Sequence, residues 1–209
     1  MTLPYKKIPA AIARYTSPTG MLPPSTLDHV DGIGDFEVQA ARAMRALAAS
    51  AAKSGLAVAS VGDYRSYDEQ VALFKQRYQT FPPLPWRRHY TFEGKTWYLK
   101  LGAAGAAYPG TSNHGLGLAN DMALRVNGKV VTLETEVNGL SLWEWLNTHG
   151  RTFGWSWGEA TSEKWHWVYI DGDDIPAAVL AYEHQPAPPP PPRPAFNSIT
   201  PLQAAAGGI

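Results

Sequence analysis

The stretch SNHGLGLANDMALRV, residues 112–126, constrains this chain more than any other feature. Gly115 and Gly117 argue against a helix, so the segment reads as a loop that enters a strand. On a regular strand, the odd separation between His114 and Asp121 would send their side chains to opposite faces. A bend at the glycines resolves this. His114 then sits on the loop and Asp121 on the strand, both turned toward one point, and glycine lets the backbone approach a ligand closely.

Around this segment the chain alternates short helices and short strands. Residues 1–34, rich in Pro, Gly, Ser and Thr, read as an irregular lead-in. From Asp35, which suits an N-cap, Phe36, Ala40, Ala43, Met44, Leu47 and Ala51 recur at helical spacing up to a stop at Gly55. LAVASVGDY follows as a strand. SYDEQVALFKQRYQ reads as a helix with a capping box, Ser66 at the N-cap and Glu69 at the third helical position. FPPLPW ends it. Residues 86–101 read as an aromatic hairpin around Glu93-Gly94-Lys95, either a wall of a substrate cleft or a solvated flap. Asn127-Gly128-Lys129 is a turn signal leading to the partner strand VVTL. SLWEWLNTHGRTFG reads as a helix ending at Gly150, EKWHWVYI as a strand, and IPAAVLAYEH as a closing helix. Beyond His184, PAPPPPPRP favours polyproline II and acts as a spacer. The expected division is a catalytic domain over 1–184 and a Pro-rich linker and tail over 185–209.

Composition narrows the function. Eighteen basic residues balance eighteen acidic ones, so the chain lacks the basic footprint of nucleic-acid binding. Nothing approaches the length of a membrane span, and the N-terminus has no apolar run long enough for a signal-peptide core. With no cysteine, any metal falls to His, Asp or Glu. Eight Trp and ten Tyr in 209 residues supply enough bulk for one well-packed core.

Glu163-Lys-Trp-His166 is the second chemical cluster. Its odd spacing separates Glu163 from His166 on a strand and places Glu163 at the strand's entrance. Two histidines and one aspartate, His114, Asp121 and His166, leave a fourth position open on a catalytic zinc ion. Glu163 is then within reach of water there, able to take its proton and pass it to a leaving amine. Trp165 and Trp167 alternate with His166 and are expected to face away from the metal. The remaining histidines, His29, His89, His149 and His184, have no partner at ligand spacing.

SNHGLGLAND followed by EKWH resembles the S-x-H-x-x-G-x-A-x-D and E-x-x-H motifs of the zinc D-Ala-D-Ala carboxypeptidase family, of VanY type. Ser112, His114, Gly117, Ala119 and Asp121 fall on motif positions, as do Glu163, Trp165 and His166, and the likeness extends over about residues 20–183. DYRSYDEQVALF is similar to the family's segment carrying an Arg, then a Ser, then a Gln. The resemblance implies that Arg65 stabilises the oxyanion at the attacked carbonyl, with a salt bridge at the helix entry as the other reading. It makes Ser112, Gln70 and Trp165 candidates for substrate contact, with helix surface or support behind the site as the other reading of Gln70 and loop orientation as that of Ser112. Asn120 stands where an aliphatic residue is usual, implying a more polar setting beside Asp121.

The fold so implied is α+β, like that of Hedgehog domains and D-Ala-D-Ala peptidases: a central antiparallel sheet, helices packed on one side, and one Zn2+ in a groove on the open face. The activity implied is hydrolysis of a peptidoglycan stem peptide at a D-alanine bond by a monomer that inserts in no membrane and binds no nucleic acid. Cleavage between L-Ala and D-Glu is the rival within the family, and a catalytically silent zinc module that binds wall or partner is the rival outside it. A wall-cutting enzyme of this kind with a Pro-rich spacer resembles a phage endolysin, made in the cytoplasm and acting at the bacterial wall.

Overall fold

Residues 6–83, 85, 88–157 and 162–185 are described by a computed structural model of the chain. The Pro-rich segment expected after His184 lies outside them beyond Gln185, as do Trp86 and Arg87 at the start of the expected hairpin.

The lead-in is more ordered than its composition suggests. Two 3-10 turns, Ala10–Tyr15 and Pro24–Thr26, precede an antiparallel hairpin of β1 (Leu27–Val30) and β2 (Gly34–Glu37). These strands are too short to show an alternating pattern, and the turn between them uses Gly32 at φ +71°. Their pairing also corrects the start of the first helix. Asp35 sits opposite His29, accepts a hydrogen bond from its ring at 2.7 Å and gives its own N–H to Asp63. The helix therefore begins later, as α1 (Val38–Lys53), capped by the Glu37 carboxylate, which accepts from the N–H groups of Gln39 and Ala40.

Alanine gives α1 its role. Ala40, Ala41, Ala43, Ala46 and Ala51 are buried with Met44 and Leu47, and their small side chains let the helix lie close to the sheet while costing almost no side-chain entropy. Gly55, at φ +77°, ends the helix and leads into β3 (Ala57–Gly62). The capping box of Ser66 and Glu69 opens α2 (Tyr67–Arg77). β4 (Tyr78–Gln79), β5 (His89–Phe92) and β6 (Lys95–Leu99) then form a small sheet in the order β4-β6-β5. Its turn places Glu93 and Gly94 at positive φ. Phe74 of α2 stacks on Tyr78 at 4.4 Å and meets the edges of Phe92, Trp97 and Tyr108. This aromatic cluster fastens the hairpin to α2.

The main sheet follows. β7 (Ala119–Val126) turns through Asn127-Gly128 into β8 (Lys129–Val131); the short pair β9 (Glu136–Val137) and β10 (Leu140–Ser141) leads to α3 (Leu142–His149), β11 (Trp155–Ser156), β12 (His166–Tyr169) and α4 (Ala177–Glu183). The antiparallel order is β11-β12-β7-β3, with β8 on β7. One core holds Met44 and Leu47 of α1, Met122 and Leu124 of β7, Leu142 and Leu146 of α3, Trp167 and Tyr169 of β12, and Val179 of α4. Helices α1, α3 and α4 thus cover one face. The other face carries Asp121 and His166 below a cleft, while Ala119, Val168 and Ile170 on the same face form a small buried cluster of their own. Among the described residues no helix is long and apolar enough to cross a membrane.

Candidate metal centre

Register places the first two ligands. His166 and Asp121 are Cα partners across β12 and β7, so their side chains rise from the same face of the sheet. The Nδ1 of His166 lies 3.0 Å from Oδ1 of Asp121. His114 arrives from the 3-10 turn Asn113–Leu116, which Gly117 closes at φ +64°. Its Nε2 is 3.3 Å from the same Asp121 oxygen, and the two imidazole rings are 5.1 Å apart. Donors about 2.0–2.1 Å from a tetrahedral zinc ion stand about 3.3 Å from one another. All three ligand atoms fall within 4.8 Å of each other.

The groups around them fix this geometry. The Nδ1 of His114 lies 2.8 Å from the Asp63 carbonyl, which can only accept. The proton is thereby held on Nδ1 and the Nε2 lone pair is turned toward Asp121. Gly62, at a bulge in the β3–β7 pairing, leaves room for the carboxylate: a Cβ there would meet Asp121 Oδ2 at 2.6 Å. Gly115 is needed for a different close approach, since a Cβ there would meet the Gly20 nitrogen at 2.6 Å. Burial alone would raise the Asp121 carboxyl, but in the metal-free chain, where protonated His114 and His166 rings donate to it, their hydrogen bonds and charges outweigh burial and hold the group well below the usual carboxylate range. A carboxylate kept ionised between two imidazoles is a donor set suited to a divalent cation of zinc type.

A cleft of about 280 Å³ opens over these ligands, lined among others by Arg65, Ser112 and Glu163. Glu163 precedes β12 in a turn in which its carbonyl accepts from His166 N–H at 3.0 Å. That carbonyl also accepts from the Trp157 indole at 3.0 Å, so the backbone of Glu163 is pinned while its side chain faces the cleft. The backbone N–H of Arg65 donates to the His114 carbonyl at 3.1 Å, which ties the start of α2 to the ligand loop. Burial lowers the Arg65 pKa, and the Asp121 charge opposes that effect. Ser112 is buried at the foot of the ligand turn and borders the cleft.

Gln70 takes up the supporting role that is one of its readings, and Trp165 lies where strand alternation does not place it. Gln70 is 3% exposed, not on the helix surface. Its carboxamide accepts from Arg65 at 3.1 Å and donates to the Ala107 carbonyl at 2.8 Å, so it braces Arg65 against the loop instead of facing substrate. Trp165 is 44% exposed. The expected alternation fails because the strand begins at His166, three residues later than EKWHWVYI implies, and the preceding residues turn. Trp165 borders both the cleft and an apolar groove formed by Val61, Met122 and Val130. Trp167, inside the strand, is buried as expected. Asn120 points away from the metal site and accepts from Ser60 at 2.5 Å on the helix-covered side, so its polarity does not reach the ligands.

Sequence reading missed the Asp63 carbonyl, Gly62, and the cleft walls supplied by Leu73, Arg77 and the segment Ala104–Ala107. Leu73 and Arg77 carry a recoverable signal, since they stand three and seven residues after Gln70 on one helix face. The wall is the segment after the hairpin; the aromatic strands themselves pack on α2.

The VanY D-alanyl-D-alanine carboxypeptidase family profile matches residues 35–172. Among solved structures, the chain is similar to the LdcB LD-carboxypeptidase at 23% identity and TM-score 0.50, over 78% of this chain and 75% of that one. This likeness bears on the fold. Further similar structures are VanYB in complex with D-alanine-D-alanine, at 20% identity and TM-score 0.46 over 75% of this chain and 82% of that one, and a vancomycin-resistance D,D-pentapeptidase VanY with Zn(II), at 19% and 0.46 over 78% and 88%. No curated protein matches.

Proposed function

Because this chain belongs to the VanY family of D-alanyl-D-alanine carboxypeptidases, we propose that it is a zinc metallopeptidase removing D-alanine from peptidoglycan stem peptides. The observation that carries the reading is the convergence of His114 Nε2, His166 Nδ1 and Asp121 Oδ1 beneath a cleft that also takes in Glu163 and Arg65.

Zinc bound by those three residues would polarise the scissile carbonyl and make a water molecule acidic near neutral pH. Glu163 takes the proton from the attacking water on its carboxylate and delivers it to the leaving amine. Arg65, held by Gln70, neutralises the charge that develops on the carbonyl oxygen. Ser112 at the floor and Trp165 at the rim hold the peptide across the cleft. The terminal D-alanine leaves as the free amino acid. We extend the proposal to a wall-lytic role of the endolysin type, which requires that the D-alanine bond cut also be one that joins neighbouring stems and not only a free terminus.

Incubation with defined muropeptides and mass analysis of the products tests the reading. Loss of one terminal alanine is the expected result. A stem cut after its first L-alanine, with the terminal D-alanine intact, would replace it with the L-Ala-D-Glu endopeptidase.

A further inference from the structure

Helix α2 presents Gln70, Leu73 and Arg77 along one side. Gln70 is buried behind Arg65, while Leu73 and Arg77 line the same cleft as Arg65 and the metal-site residues. A guanidinium has five N–H donors in a planar fork. Arg77 gives one to the Gly105 carbonyl at 2.7 Å, and among the described residues no carboxylate lies within ion-pair distance of it. The same is true of Arg65. Glu69, which shares an adjoining depression with both arginines, is engaged by its own capping box.

Arg65 feels the Asp121 charge, with smaller contributions from Glu69 and Asp63, but neither arginine is clasped by a carboxylate, and two cations in one cleft repel each other. The Arg77 charge adds to burial in depressing Arg65. Favourable placement at a helix C-terminus accounts for a basic residue here, and a single backbone carbonyl needs only one donor. Neither accounts for a second fork left open beside the first. A carboxylate satisfies such a fork with two parallel charge-assisted hydrogen bonds.

We propose that Arg77 binds a carboxylate of the peptide substrate and so helps to determine which stem peptides the cleft accepts. This rests on the peptidase reading above. The seven residues from Gln70 to Arg77 rise about 10 Å along the helix, comparable to two or three residues of extended peptide at about 3.3 Å each. Side-chain reach shortens that span. The carboxylate is therefore either the peptide's own terminus or the free acid of an internal residue such as an iso-linked glutamate.

Four versions of one stem peptide distinguish the sources: both acids free, the terminus as carboxamide, the internal acid as carboxamide, and both amidated. Arg77→Met should raise KM on the free peptide by about tenfold to a hundredfold with kcat within about threefold, and Arg77→Lys should recover part of the loss. The gap between wild type and Arg77→Met should close on one singly amidated peptide, which identifies the carboxylate, and on the doubly amidated one. An equal loss on all four peptides would make Arg77 a structural support of the 104–107 wall and overturn the inference, as would no loss on any. Thermal unfolding shows whether each variant folds. Calorimetric binding of the four peptides to Glu163→Gln, with and without Arg77→Met, provides a readout without turnover. If wild type cleaves none of them, the peptidase reading fails. The inference then stands only if the acid is bound at least about tenfold more tightly than its amide in an Arg77-dependent way, and it falls otherwise.

Discussion

His166 and Asp121 face one another directly across β12 and β7, and Nδ1 of the first lies 3.0 Å from Oδ1 of the second on the cleft face of the sheet. A one-residue slip in that register would send one of them into the helix-covered core. The buried set of Met122, Leu124, Trp167 and Tyr169 therefore sets the metal site as well as the core.

Glu163 lines the cleft without belonging to the ligand set. Glu163→Gln should keep metal content at the wild-type level and lower kcat by about a hundredfold to ten-thousandfold, the usual range for loss of a positioned general base. Metal analysis and muropeptide kinetics on the same preparation check this. Wild-type turnover in the variant would remove Glu163 from the chemistry.

Gly62 makes space for Asp121. Gly62→Ala should fold, since the atom its Cβ meets is the end of a side chain, but it should displace the carboxylate and weaken metal binding by roughly tenfold to a hundredfold, as for loss of a group that orients a ligand. Competition with a chelator measures the affinity. Unchanged affinity would show that the carboxylate has another way to reach the ion.

Gln70 connects Arg65 to the Ala107 carbonyl. Gln70→Leu should cost about 1–3 kcal/mol of stability for the polar groups left unpaired, and it should lower kcat more than it raises KM, since Arg65 acts on charge that forms during reaction. Denaturant unfolding and steady-state kinetics separate the two effects. A loss confined to stability would make Gln70 a packing residue only.

The Asp121 carboxyl is depressed in the folded chain because its imidazole partners outweigh its burial. A depressed acid stabilises the fold at pH values above its unfolded pKa of about 3.9, and that stability is lost as pH falls through the lower folded value. In metal-free protein, Asp121→Asn should therefore cost most near about pH 5 and progressively less below about pH 3. Urea midpoints across this range provide the test, and a cost that does not change with pH would contradict the assigned cause.

Local rules reached much of this architecture. The capping box of Ser66 and Glu69, the stop at Gly55, the turn at Asn127-Gly128 and the loop-to-strand passage from His114 to Asp121 are each written in neighbouring residues. Features that depend on distant pairing were not legible. Asp35 is lost as a helix cap because it pairs with His29 and Asp63. Trp165 breaks strand alternation because its segment turns before it pairs with β7. The Asp63 carbonyl orients His114 through a backbone atom, which no side-chain motif records. Gln70 looks like helix surface until the loop at Ala107 closes over it.

Zinc stoichiometry decides whether one ion sits between His114, Asp121 and His166. Purified protein should contain close to one equivalent of zinc by elemental mass analysis after dialysis, and His114→Ala, Asp121→Asn and His166→Ala should each reduce it severely while remaining folded by circular dichroism. Retention of the full equivalent in the folded His166→Ala protein would mean that the ion is held elsewhere and that these three residues are not its ligands.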